Sequence, residues 1–296
     1  SQALGTTLLS ATLSTVLACV LAGTLATLAY PGPRWLRLQQ QLAPLLSMPH
    51  AAFAVGFFFL LSPSGWLARW LALPLGWTNP PEWVTVQDPY ALSLSLALAI
   101  KESWFLLWVL AAVLGESAVA RHTRVARTLG YNHVQTWRLI VWPLLLPRLG
   151  WPLAAVFAYS LSVVDMAVIL GPGTPPTLAV LAWHWLTDPE PALQARGSAA
   201  SLLLLGLLLG VAGLVRAIWH RAGTHQAYPS GQRLPLPSWL TWNMHTPLFL
   251  LGYAAISMLL FWSVADAWFF PSIWPEAVTW RAWTQADWAP FWTTLW

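Results

Sequence analysis

The sequence predicts an all-α, polytopic membrane protein, and three observations carry that expectation. Hydrophobic residues make up 57% of the chain and charged residues only 8%, whereas a soluble domain carries about 25% charged residues. The apolar residues fall into runs of the length a helix needs to cross a bilayer core, roughly 20 residues. The arginines then sort by side once these runs are threaded in order. Arg34, Arg37, Arg121, Arg124, Arg127, Arg138, Arg148, Arg216, Arg221 and Arg233 fall on one side, and Arg69, Arg196 and Arg281 on the other. Cytoplasmic loops carry the excess of Arg and Lys, so the first group is predicted inside.

The elements follow from this threading. Span one is predicted at 4–29 and span two at 44–61. Residues 62–89 are rich in Trp, Pro and Gly and read as a helix or turn lying in the outer interface, with Glu82 and Asp88 as its acids. Span three is predicted at 90–114 and span four at 149–170. GPGTPP at 171–176 cannot continue a helix. A short outer helix is expected within 177–196, span five at 197–219, a polar inner loop at 220–245, and span six at 246–269, before an outer Trp-rich loop with Glu276, Arg281 and Asp287. The 23 tryptophans suit a protein with many membrane–water boundaries. The net charge of +4 is small and bears on orientation rather than on nucleic-acid binding. Cys19 is the single cysteine, so no disulfide or Cys-based metal site forms within one chain. Residues 1–30 lack the basic start of a signal peptide. A chain that starts at Ser1 and ends in an apolar 291–296 is expected to be a fragment of a longer protein.

The densest charged stretch is RHTRVARTLGYNHVQTWRLIVWPLLLP, from Arg121 to Pro147. On a helix, Arg121, Arg124 and Arg127 share one face, and Ala118, Val119, Val125, Ala126 and Leu129, with His122, share the opposite one. Gly130 is expected to end or bend that helix. On composition alone this is a basic cytoplasmic loop that orients its neighbours. Its spacing says more. The stretch resembles the signature loop of the permease subunits of binding-protein-dependent ABC importers, whose pattern is E-A-A, three residues, G, nine residues, I-x-L-P. Ala126 stands at the second alanine, Gly130 at the glycine, Ile140 at the isoleucine and Pro143 at the proline. Arg124 replaces the family's glutamate, Val125 its first alanine and Trp142 its leucine.

The resemblance implies a type I ABC-importer permease (MetI-like) helical bundle in the bacterial inner membrane. The chain would not be an enzyme. It would form the translocation path, with ATP bound by separate ABC ATPase subunits that grip the loop at Arg121, Arg124, Ala126, Arg127, Gly130, Ile140 and Pro143. A periplasmic substrate-binding protein would deliver substrate to the outer loops. Lys101 is the only lysine and lacks the glycine-rich run of a phosphate-binding loop, so this chain is not expected to cradle ATP itself. KESW at 101–104 and the stretch 165–176 are similar to the fused thiamine- or iron(III)-type permeases. Leu4-Gly5-Thr6-Thr7-Leu8 is echoed by Phe291-Trp292-Thr293-Thr294-Leu295, and internal repeats build many transporters. The expected organisation is a permease core at 1–220 with its coupling loop at 115–147, a cytoplasmic linker at 221–245, and at 246–296 the first span of a second, fused half.

Ionisable residues inside a span are functional candidates, because inserting one costs roughly 2.5–3.5 kcal/mol. Lys101 and Glu102 in span three and Asp165 in span four are therefore candidates for the translocation path or its gate, with His50 as a fourth. The alternative is that Lys101 or Glu102 pairs with Asp165 or a backbone group and fixes packing. No His spacing suggests a metal site. Gly206, Gly210 and Gly213 offer a small-residue face for helix packing. Two other functions remain open at this stage: a polytopic membrane enzyme such as a lipid-linked transferase, and an ion-coupled secondary transporter using Lys101, Glu102 and Asp165.

Overall fold

The computed structural model describes residues 2–223 and 245–295. The predicted linker at 221–245, with Arg221, His225 and Arg233, lies outside the described residues except at its two ends. The order of elements is α1 (Gln2–Ala29), α2 (Pro33–Ser47), α3 (His50–Leu61), α4 (Trp66–Leu75), α5 (Leu92–Leu114), α6 (Ser117–Thr128) and α7 (His133–Thr136). A π turn (Trp137–Val141) leads into α8 (Trp142–Ser162), α9 (Asp165–Leu170), α10 (Leu178–Thr187), α11 (Pro191–Gly223) and α12 (His245–Val264). A two-stranded hairpin, β1 (Ala265–Ala267) and β2 (Ala277–Val278), then precedes α13 (Arg281–Thr284) and α14 (Ala289–Leu295). Six stretches among the described residues are long and apolar enough to cross a membrane: Gln2–Ala29, His50–Leu75, Leu92–Leu114, His133–Ser162, Pro191–Ala217 and Pro247–Val264. The molecule is an all-α polytopic bundle, as its composition requires.

α1 and α5 form the centre. α1 buries Ala11, Ala18, Ala22 and Ala26, a small-residue face that lets α5 and α8 approach closely. Its buried hydroxyls are satisfied locally: Thr7 donates to the Ala3 carbonyl at 2.7 Å and Ser14 to Ala11 at 3.1 Å, as a dry environment demands. Thr7 also accepts from the Leu178 amide at 2.8 Å, so α1 caps the first turn of α10. Asp88 caps α5, accepting from the amides of Leu92 at 2.8 Å and Ser93 at 2.9 Å. The Ser93 hydroxyl donates to the Leu170 carbonyl, which ties the start of α5 to the end of α9.

The second crossing differs from the predicted 44–61. It begins at Pro33, where proline suits a first helical turn, so Arg34, Arg37 and Pro44 belong to α2 rather than to a loop or a new span. α2 buries a single stripe of Trp35, Leu38, Leu42 and Leu45. Met48 and Pro49 are extended (φ/ψ −65/124 and −59/140), because proline disfavours helix in the residue before it. α3 then rises about 18 Å, too short to cross a hydrocarbon core of about 30 Å by itself. α12 runs beside both pieces in order. Gly252 sits against Trp104 and Leu45, then Gly56 backs onto Ala255, and Trp262 stacks on Phe59 at 4.6 Å. α2 and α3 therefore make one broken crossing. A turn at 62–65 divides the apolar stretch His50–Leu75 and separates α3 from α4.

The fourth crossing also differs. Helix begins at His133 rather than at 149, and it stops at Ser162, before Asp165. Pro143, Pro147 and Pro152 each lack an amide for the helical ladder, and the turn ahead of Pro143 widens to π. Val163 and Val164 break the helix, so Asp165 opens the short α9 instead of lying inside a continuous span. α11 extends beyond the predicted 197–219 at both ends. A Cβ added to Gly206, Gly210 or Gly213 would meet nothing within 4 Å, so no helix among the described residues packs closely on this face.

Span six ends at Val264 rather than at 269, where the hairpin takes over. Arg69 explains the hairpin's position. It is buried, and its guanidinium donates to the carbonyls of Ser64, Trp268, Phe269 and Ser272 at 2.7–3.2 Å while lying over the Trp268 ring. Residues some 200 positions apart are thereby clasped to α4.

Candidate functional site: the basic loop and the mid-bundle polar cluster

The basic loop is a two-helix elbow. α6 buries Val119, Thr123 and Ala126 at helical spacing, while Arg121, Arg124 and Arg127 are exposed. The apolar face expected from spacing is split: Val125 and Leu129 are more than half exposed, and His122 is exposed as well. Gly130 ends the helix at φ +82°, a conformation that L side chains rarely adopt. The amides of Gly130 and Tyr131 close the end by donating to Arg127 and Ala126. Asn132 and Gln135 then form a reciprocal capping box that starts α7, with the Gln135 amide 2.8 Å from Asn132 Oδ1. Ile140 lies half-buried in the π turn, and Pro143 is exposed in the first turn of α8.

The elbow is fastened to the end of α1. His133 Nε2 meets the Thr27 carbonyl at 2.5 Å, and Trp137 Nε1 donates to the Tyr30 carbonyl at 3.0 Å. The Tyr30 ring packs edge-on against both Trp35 and Trp137, at 5.9 and 6.1 Å. Its hydroxyl hydrogen-bonds Thr123. Burial pushes the Tyr30 phenol above its ordinary pKa, against the opposing pull of Thr123, Arg127 and Arg124. Arg148 of α8 pairs with Glu116 at the start of α6 at 2.6 Å. Sequence reasoning missed Tyr30, Thr123, Trp137 and Glu116. Only the Asn132–Gln135 spacing carried a readable signal, since it is a capping-box pattern.

The four intramembrane candidates gather near the middle of the bundle, with Glu102 about 15 Å along α5 from its start at Leu92. Lys101 and Glu102 point in different directions, as adjacent helical residues must. Lys101 is buried, and its Nζ donates to the carbonyls of Leu45 at 2.9 Å and Met48 at 2.6 Å while lying 5.3 Å from the centre of the Trp104 ring. Glu102, also buried, has Oε1 3.4 Å from His50 Nε2, an ion pair when His50 is protonated. The His50 ring lies 4.7 Å from Tyr159, and Tyr159 hydrogen-bonds Asp165. Lys101 and Asp165 are not joined.

Four elements therefore contribute one polar row, Glu102–His50–Tyr159–Asp165. The two helix breaks, Met48–Pro49 and Val163–Val164, lie beside its His50 and Asp165 members. Asp165 is exposed and His50 partly so. In a membrane, such groups face water or another protein surface rather than hydrocarbon. Broken helices at mid-membrane around polar groups are how transporters build sites. Tyr159 was not singled out from the sequence. A mid-span tyrosine carries no pattern of its own, and only the fold sets it between His50 and Asp165.

This is the architecture of a polytopic helical protein with a polar centre and an exposed basic elbow at one end. No family model matches the chain. The chain is 41% identical over 218 residues to the inner membrane ABC transporter permease protein YnjC of Escherichia coli strain K12. That match covers 74% of this chain and 41% of that protein, so it spans less than half of the relative's length.

Proposed function

We propose that the chain is the permease part of an ATP-driven ABC importer in the bacterial inner membrane. It forms the substrate path and docks separate ABC ATPase subunits through the elbow of α6 and α7. The observation that carries this reading is the elbow itself. The residues at the signature spacing run through it. Ala126 is on the buried face of α6, whose exposed face carries Arg121, Arg124 and Arg127, and Gly130 stops that helix at positive φ. Ile140 and Pro143 follow in the π turn and the first turn of α8, with the elbow braced on α1. Similarity to an inner membrane ABC transporter permease over most of the chain supports it. Exposed Val125 and Leu129 supply apolar contact, and Arg121, Arg124 and Arg127 supply charge for acids on the ATPase or for anionic lipid. A periplasmic binding protein delivers substrate, and 246–296 opens a second, fused permease half like those of the thiamine- or iron(III)-type permeases.

Within the bundle, His50, Glu102 and Asp165, joined by Tyr159, line the path or its gate, with Lys101 beside them. Purification of the tagged full-length protein from its native cells tests the reading. An ABC-type ATPase is expected to co-purify and to hydrolyse ATP. Co-purification of no ATPase sinks the proposal.

One observation favours a second reading. A connected row of two carboxylates, an imidazole and a phenol also suits an ion-coupled secondary transporter. Proteoliposomes that take up substrate under an imposed proton or sodium gradient, with no nucleotide present, would establish it instead.

A further inference from the structure

α2 touches both regions just described, one at each end. At its start, Trp35 packs on Tyr30, the residue that also bears on Trp137 and bonds Thr123 of α6. At its end, the carbonyls of Leu45 and Met48 receive Lys101. Carbonyls in the last turn of a helix have no partner within it, and a cation there also meets the negative end of the helix dipole. Lys101 thus caps α2 from another helix. Between these ends α2 is about 20 Å of helix with one continuous buried stripe, Trp35, Leu38, Leu42 and Leu45. Glu102, next to Lys101, holds His50, the first residue after the Met48–Pro49 joint.

Resting on the docking role given above to α6, we propose that α2 is a strut carrying movement of the α6 elbow to the Glu102–His50–Tyr159–Asp165 row. Lys101 is the pin that makes it work. Lys101 is then a positioning residue rather than one that lines the path. The reason is mechanical. The extended joint at Met48–Pro49 is the soft point of the crossing, and a shift of α2 would be absorbed there. Lys101 bonds the Leu45 carbonyl in the last turn of α2 and the Met48 carbonyl at the joint itself, and fixes both to α5. A displacement of α2 is thereby imposed between Glu102 and His50. Coupling between distant sites is carried by such rigid elements with defined contacts at each end.

The test uses the full-length protein with its co-purified ATPase in lipid nanodiscs, with Cys19 replaced and a spin label on a cysteine at Ser162, beside the α8–α9 break. The readout is the change in label mobility on trapping with ATP and vanadate. The parent is expected to respond. Lys101→Met and Trp35→Leu, at opposite ends of the strut, should each cut the response at least fivefold while the ATPase still co-purifies. Lys101→Arg, which keeps a cationic donor, should retain at least half. A normal response in Lys101→Met overturns the strut, as does a normal response in Trp35→Leu. Should Lys101→Met fail to assemble, Trp35→Leu decides alone. A parent that binds its ATPase yet shows no response also overturns it, whereas a parent that binds no ATPase refutes the docking role and not the strut geometry.

Discussion

Gly130 has a φ of +82° at the stop of α6. A side chain in that conformation costs roughly 1–2 kcal/mol, and the strain falls on the elbow rather than on any span. Gly130→Val is therefore expected to weaken ATPase co-purification about tenfold, the equivalent of 1.4 kcal/mol. The melting temperature of the purified protein should stay unchanged. A variant that melts markedly lower would mean that the glycine supports the bundle rather than the elbow. Arg124 stands at the position where the resembling loop carries glutamate. It is exposed and makes no ion pair among the described residues. Arg124→Glu should alter ATPase binding without altering stability. In the polar row, Asp165→Asn keeps an acceptor for Tyr159 and should leave insertion intact. It should still lower binding-protein-stimulated ATP hydrolysis of the reconstituted complex by about tenfold, since a residue whose charge serves the path acts on that step. A combined Asp165→Asn, Tyr159→Phe variant no worse than either single change would show that the pair acts as a unit. Normal hydrolysis in Asp165→Asn would remove the carboxylate from the path.

At the scale of elements, the α3–α12 contact is the one most exposed to a single change. A Cβ on Gly56 would fall 1.9 Å from the Ala255 carbonyl oxygen, a backbone atom that cannot turn aside. Gly252 faces Trp104, whose ring meets a Cβ at 2.6 Å but is a side chain with some freedom to shift. Overpacking costs about 1–3 kcal/mol. Gly56→Leu is thus expected to separate α12 from α3 and to lower the melting temperature in detergent by about 5 °C, and Gly252→Ala to do less. A cysteine pair at Phe59 and Trp262, whose rings stack at 4.6 Å, reports the separation directly. Efficient crosslinking in Gly56→Leu would show that the helices accommodate the side chain. The hairpin after α12 depends in a similar way on Arg69. Arg69→Leu removes the guanidinium that gathers the carbonyls of Trp268, Phe269 and Ser272, and limited proteolysis should then cut within 268–276.

For the whole molecule, the sorting of arginines predicts which end of the bundle is inside. The elbow and the polar end of α2, with Arg34 and Arg37, lie on one side, and α4 with the loop at 76–91 lies on the other. With Cys19 replaced, a cysteine at Thr78 should react with an impermeant maleimide in intact cells, and one at Thr128 only after permeabilisation. Both positions are exposed, so access is limited by the membrane alone. The reverse pattern would invert the topology and place the elbow out of reach of any cytoplasmic ATPase.

Composition and periodicity determined a good deal by themselves. The shortage of charge made the chain a membrane bundle, the apolar runs placed α1, α5 and α12 close to where they lie, and the glycine after a basic stretch marked the stop of α6. These are properties of local sequence: the length of an apolar run, the sign of a charge cluster, the one residue type that tolerates positive φ. Only the tertiary structure decided the rest. That α2 joins α3 in one broken crossing depends on α12 lying along both, and no local pattern distinguishes this from a new span at Pro44. The partners of Lys101 are backbone carbonyls on α2, which carry no residue identity to read. Tyr159 and Thr123 have the composition of ordinary core positions. Their roles arise because helices distant in the chain bring His50 and Asp165 to the one and Tyr30 to the other, and contacts between distant segments leave no mark in the spacing along either.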